Sequence, residues 1–177
     1  MRRSALLVSS LLALAIGSTA NAAGTVTGQL GIQLVITDGC TVGNGGSAGG
    51  TFGNIDFGSV AAITAPLEAQ SVGSGGGGSF SVTCNNGTDY SVTLDSGGNP
   101  AGGQRNMSNG TDLIAYNLFQ DAGRTTPWGD GSNGGDTLDS TGNGEVQEIV
   151  VYGQVPPRAA VPSVGTYTDT VQVTVAW

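Results

Sequence analysis

The chain has 177 residues and a formal net charge of −8, with thirteen acidic residues against five basic ones, and no histidine. All five cations are arginines, which removes an imidazole base, a histidine metal ligand, a Schiff-base lysine and a phosphate-loop lysine together. A chain this acidic, with its arginines scattered, is also a poor partner for nucleic acid.

Residues 1–22 read as a secretory signal. Arg2 and Arg3 supply the positive start, Ala5–Gly17 a short apolar core, and "ANA" (Ala20–Ala22) an A-x-A cleavage box. That core is shorter than the roughly 20 residues a membrane anchor needs, so the expected product is an exported, soluble chain beginning at Ala23. It keeps Arg105, Arg124 and Arg158 against all thirteen acids, a net charge of −10.

The next segment, "TVTGQLGIQLVITDGC" (Thr25–Cys40), alternates. Val26, Gly28, Leu30, Ile32, Leu34 and Ile36 share one phase, and Thr25, Thr27, Gln29, Gly31 and Gln33 share the other, with Val35 the exception. The pattern predicts a strand with one dry face. Fully extended, Thr25–Ile36 would reach roughly 40 Å, about twice an ordinary strand, yet no hairpin turn follows to hand it a partner. By length residues 23–177 make one domain, and the pattern leaves open which sheet this strand joins.

Cys40 and Cys84 are the only cysteines. In an exported chain an even pair reads as one disulfide rather than two free thiols. Between them lie a glycine-rich stretch, a short strand candidate (Asn54–Val60) and the linker-like string "GSGGGGS" (Gly73–Ser79). Strands then follow in series: Phe80–Cys84, Asp89–Asp95, Leu113–Phe119, Glu145–Val155 and Gly165–Trp177, each bounded by Gly, Asn, Pro or Asp. The fold class is all-β, an immunoglobulin-like sandwich. The last strand mirrors the first, with Val171, Val173, Val175 and Trp177 on one apolar phase.

No motif carries chemistry. Gly73–Gly78 fits a dinucleotide fingerprint by letter, but a strand rather than a helix follows it. Asp139–Gly144 begins like a calcium loop, but Val150 stands where a bidentate glutamate is required, so an acidic turn is expected. Glu145 and Glu148, three apart on an expected strand, face opposite ways and cannot share one bond. Trp128 beside Pro127 reads as a loop anchor rather than a ligand platform, with Arg124 stacked near it. No catalytic residue, cofactor or metal is expected.

Taken in order, "VTGQLGIQLVITDGCTVG", "FGNIDFG", "SVTCNNGT", "IAYNLFQDAGRTTPWGDG", "VYGQVP" and "GTYTDTVQVTVAW" resemble the spore coat protein U domain family. Within it they resemble the major pilins of archaic (Csu-type) chaperone–usher pili; the glycine string at 73–78 is not part of that pattern. The resemblance implies an immunoglobulin-like sandwich lacking one strand, completed by the N-terminal segment of a neighbouring identical subunit. With it comes a division into an arm and linker over 23–39 and a body over 40–177. Val26, Gly28, Leu30, Ile32, Leu34 and Ile36 would be the donor face. Val171, Val173, Val175 and Trp177 would line the groove and meet a periplasmic chaperone. An outer-membrane usher and a separate tip adhesin are the further implied partners, and surface fibres for adhesion and biofilm formation the implied role. The alternative from another class is a secreted binding or coat module whose first strand completes its own sheet.

Overall fold

The computed structural model describes residues 24–43, 51–72 and 80–177. The expected signal segment and the Gly73–Ser79 string lie outside the described residues. The chain divides into an N-terminal unit ending at Val35 and a second unit from Ile36 to Trp177.

In the first unit, residues 24–35 form no strand. The second unit is all-β among its described residues, with ten strands: β1 (Cys40–Gly43), β2 (Leu67–Gln70), β3 (Phe80–Cys84), β4 (Asp89–Leu94), β5 (Arg105–Ser108), β6 (Leu113–Phe119), β7 (Leu138–Thr141), β8 (Gln147–Ile149), β9 (Tyr152–Val155) and β10 (Val173–Ala176). They form three antiparallel sheets in the orders β1-β3-β8, β10-β4-β7 and β2-β9-β6-β5.

Alternation decides which side chains meet. On β3 the inward positions are Phe80, Val82 and Cys84, on β4 Tyr90, Val92 and Leu94, and on β6 Ile114, Tyr116 and Leu118. With Ile63, Trp128, Ile149, Val151 and Val155 they make one buried cluster to which all three sheets contribute. Each such side chain contributes about 1.5–3 kcal/mol on leaving water. Gly153 on β9 is required by packing: a Cβ there would run into the Phe57 ring at 2.8 Å.

Several expectations need correction. Asn54–Val60 is no strand; only Asn54 bridges to Val72. The Asp56 side chain accepts the Gly58 N–H at 2.8 Å and Gly58 adopts φ +77°, so a local turn replaces the ladder. The run Glu145–Val155 is two strands in two sheets, β8 against β3 and β9 against β6 and β2. At the crossing, Ser71 satisfies Val151, whose N–H meets the Ser71 hydroxyl and whose carbonyl accepts the Ser71 N–H, both at 2.8 Å. The last run also changes partner: Thr168 bridges to Ser108 at the end of β5, and only Val173–Ala176 pairs with β4. Asp139 stands within strand β7, opposite Ser91, and not in a turn.

Trp128 is fully buried and donates its indole N–H to the Val92 carbonyl at 3.0 Å. Its arginine neighbour is Arg105, not Arg124. The guanidinium of Arg105, itself buried on β5, donates to the carbonyls of Trp128 (2.9 Å), Leu94 (2.8 Å) and Asp95 (2.7 Å). Burial lowers its pKa, opposed by nearby Tyr116, Asp95, Asp130 and Asp169. Arg124 instead reaches Gly153, Ala122 and Ala69 carbonyls and pairs with Glu68 at 3.1 Å.

Candidate strand-acceptor edge

β10 is the edge of its sheet, bonded to β4 and to no other strand among the described residues. A strand between two neighbours buries its inward side chains, as Val92 and Leu94 on β4 do. On β10 the inward side chains Val173 and Val175, with Val171 just before them, reach the core yet stay half-buried. Trp177, in the same phase, is 59% exposed. One apolar side of this edge is uncovered along its length.

The main chain at this edge is equally unpartnered. Just ahead of β10, Gln172 turns toward the β4 side: its carbonyl accepts the Asp95 N–H at 3.0 Å, and its N–H meets the Asp95 carboxylate at 2.9 Å. In an antiparallel ladder successive residues turn their polar groups to opposite sides. Thr174 and Ala176 therefore bond toward β4, and Val173 and Val175 present N–H and C=O to the open side. An edge of this kind is a template for another strand.

Tyr116 steadies the approach to that edge by donating its hydroxyl to Asp169 at 2.6 Å. The other Asp169 carboxylate oxygen accepts Gly98 N–H and the Asn99 side-chain amide. Burial first, then the bond to Asp169, pushes the Tyr116 pKa well above its ordinary value.

β1 is an edge as well among the described residues, paired there with β3 alone, and its inward Cys40 and Val42 are half-buried against the core. Cys40 and Cys84 stand opposite each other in the ladder and form a disulfide with their Cα atoms 4.0 Å apart. The residues entering β1 are held from the same strand end: the Asn85 side chain donates to the Thr37 carbonyl at 2.8 Å, and the Asn85 N–H to Gly39 at 3.0 Å.

The other sequence-derived set lies on residues 24–36. Val26 is 96% exposed and Leu30 86%, and Ile32, Leu34 and Ile36 are exposed too. Gly28 has nothing within 4 Å of where a Cβ would stand. A contiguous row of large apolar side chains in solvent is a signature of a surface meant for a partner. Among the described residues no cluster of His, Cys, Asp or Glu could hold a metal ion.

Comparison with known proteins adds a family. The Spore Coat Protein U domain matches residues 26–174, a span that runs from the N-terminal segment to the first two residues of β10. The chain is 36% identical over 163 residues to "Protein U" of Myxococcus xanthus, covering 88% of this chain and 87% of that protein. The fold is similar to a chain in the CsuC–CsuE chaperone–tip adhesion subunit pre-assembly complex from archaic chaperone-usher Csu pili of Acinetobacter baumannii, with a TM-score of 0.51 and 23% identity. That match covers 80% of this chain, which spans only 40% of the solved one. The likeness is one of fold, an incomplete immunoglobulin-like sandwich.

Proposed function

We propose, for a chain that belongs to the Spore Coat Protein U domain family, that it is the repeating subunit of a chaperone–usher pilus. The family is structural rather than enzymatic. Residues 1–22 would be removed on export, 23–39 would serve as donor strand and linker, and 40–177 as the acceptor body. Identical subunits would join head to tail, each lending its N-terminal segment to the open edge of the next. A periplasmic chaperone would cover that edge beforehand, and an outer-membrane usher would release the growing fibre, tipped by a separate adhesin, to the cell surface. Attachment and biofilm formation are the corresponding roles.

The observation that carries this reading is the match between two unfilled halves. β10 offers a half-covered apolar face and outward-turned main-chain groups, and residues 26–36 offer an apolar row without a strand partner. Strand addition uses both at once, main chain for affinity and alternate side chains for fit. A contact between different surfaces of identical subunits need not close on itself, and where its rotation does not close it grows into a filament. Burying five such side chains would yield about 1.5–3 kcal/mol each before ordering costs.

Replacing Leu30 or Ile32 with Asp tests this. The expected result is a folded, chaperone-bound subunit and near-complete loss of fibres by electron microscopy, because an unpaired carboxylate is costly in an apolar groove. Unfolding of the isolated subunit by either change would instead assign the strand to its own sandwich, the self-complemented module.

A further inference from the structure

We propose a specific register for the inserted strand: antiparallel to β10, with Gly28 of one subunit opposite Trp177 of the next. Leu30 then faces Val175, Ile32 faces Val173 and Leu34 faces Val171. The proposal rests on the reading of residues 23–39 as the donor strand, and its occupant is a second copy of this chain.

Size complementarity carries the assignment. The inward phase of the N-terminal segment contains five large aliphatic residues and one gap, Gly28. The inward phase of the acceptor contains three valines and one oversized side chain, Trp177, whose indole is left largely uncovered. Setting the gap against the indole leaves room for it, and the next three aliphatics meet the three half-buried valines in step.

Direction follows from the same match. In a parallel pairing with Gly28 beside Trp177, only Val26 of the aliphatic residues would still face the strand, beside Val175. Gly24 would stand beside Val173, and Leu30 through Ile36 would meet none of the three valines. Antiparallel pairing alone satisfies the gap and the three valines together. It also fits the main chain, because Val173 and Val175 turn their polar groups to the open side and so form the hydrogen-bonded pairs with Ile32 and Leu30.

The polar phase supplies an independent check. In this register Gln33 stands opposite Gln172, Gly31 opposite Thr174 and Gln29 opposite Ala176. The one amide already on the outer side of the acceptor strand meets an amide of the donor, and each can both donate and accept. Shifting the donor by two residues either way breaks this pair and moves a large aliphatic residue or Gly28 out of place. The register also leaves Thr37–Gly39 to span from one subunit's edge to the next subunit's Cys40.

The test uses cysteine pairs on the wet face of the full chain, assembled into fibres and analysed on non-reducing denaturing gels. Gly31→Cys with Thr174→Cys places two thiols at a non-hydrogen-bonded pair, where Cα atoms lie about 4.5 Å apart and a disulfide forms readily. The expected result is a covalent ladder for this pair, and at least tenfold less cross-linking for Gly31→Cys with Gln172→Cys or with Ala176→Cys. A ladder from either of those pairs instead overturns the register while leaving donor-strand assembly standing. Fibres with no ladder from any pair overturn antiparallel pairing to β10. Absence of fibres from the unaltered chain with its chaperone and usher overturns the functional reading itself. A size exchange gives a second readout: Gly28→Leu should cut fibre yield at least tenfold, and Trp177→Ala in the same chain should restore it. Unchanged fibre yield with Gly28→Leu alone would overturn the proposal.

Discussion

Arg105 shows what one residue contributes. It is a buried cation whose compensation comes from three main-chain carbonyls on two segments, Leu94–Asp95 and Trp128. Removing it leaves those acceptors buried without a donor. Arg105→Met should lower unfolding free energy by about 3 kcal/mol in a denaturant titration, with loss of Trp128 burial seen in its fluorescence. Asp121 makes a different contribution. Its exposed carboxylate accepts N–H bonds from Thr126 and Thr125 and the Thr125 hydroxyl, and these bonds hold its pKa below the ordinary 3.8. A depressed carboxylate stabilises the fold above its unfolded pKa and stops doing so as pH falls through its folded value. Melting temperature should therefore fall on the acid side of 3.8, and Asp121→Asn should reduce the steepness of that fall. Asp130 and Asp112 behave alike, through bonds from Asn133 and Ser132 in one case and from Ser163 in the other.

At the level of strands, the disulfide between β1 and β3 closes a loop spanning 44 positions. Replacing both cysteines with serine should cost about 4 kcal/mol by denaturant titration, since the unfolded chain regains the freedom of that loop. The inward phase was the legible part of these elements. Val82, Val92, Tyr116 and Val173 lie on the alternating apolar phase of the strands read from the sequence, and an inward side chain keeps its parity whatever its partner strand is. For the same reason alternation hid the places where a strand changes sheet. Ile149, Val151, Gly153 and Val155 run inward without a break while the chain leaves β3 for β6 and β2. Tyr167, Asp169, Val171, Val173 and Val175 do so between β5 and β4. Strands β2, β5 and β7 ("LEAQ", "RNMS", "LDST") were illegible because each has only four residues and low apolar content, and the inward places of β5 and β7 include polar groups. Of the candidate site, both apolar rows were plain in the sequence. The direction in which the main chain of β10 points was not, because it depends on where Asp95 pairs.

For the molecule as a whole, the proposed assembly would have its kinetics set by charge. Thirteen acids against three body arginines make subunits repel one another, yet residues 24–37 carry no charge at all. Repulsion therefore opposes the approach of two bodies and leaves the inserted segment untouched. Salt screens such forces within about 8–10 Å at ordinary ionic strength. Polymerisation from chaperone-bound subunits should speed up as salt rises, mainly in the association step, with fibre stability little changed. A light-scattering time course at low and high salt measures this; slowing by salt would contradict it.

In a fibre of the proposed kind, the placement of the disulfide would decide how tension enters each subunit. When the N-terminal segment carries load between subunits, the pull enters the body at Gly39 and meets Cys40, the first residue of β1. A four-residue edge strand loaded from its end would peel one pair at a time. The covalent link at that first pair passes the load straight to Cys84 on β3, whose Phe80, Val82 and Cys84 are buried in the core. The 43 residues between the two cysteines, β2 among them, are bypassed by the covalent link. Paid out as extended chain, they would lengthen each subunit by roughly 150 Å. In a fibre of the proposed kind, the bridge would keep this stretch from paying out under load.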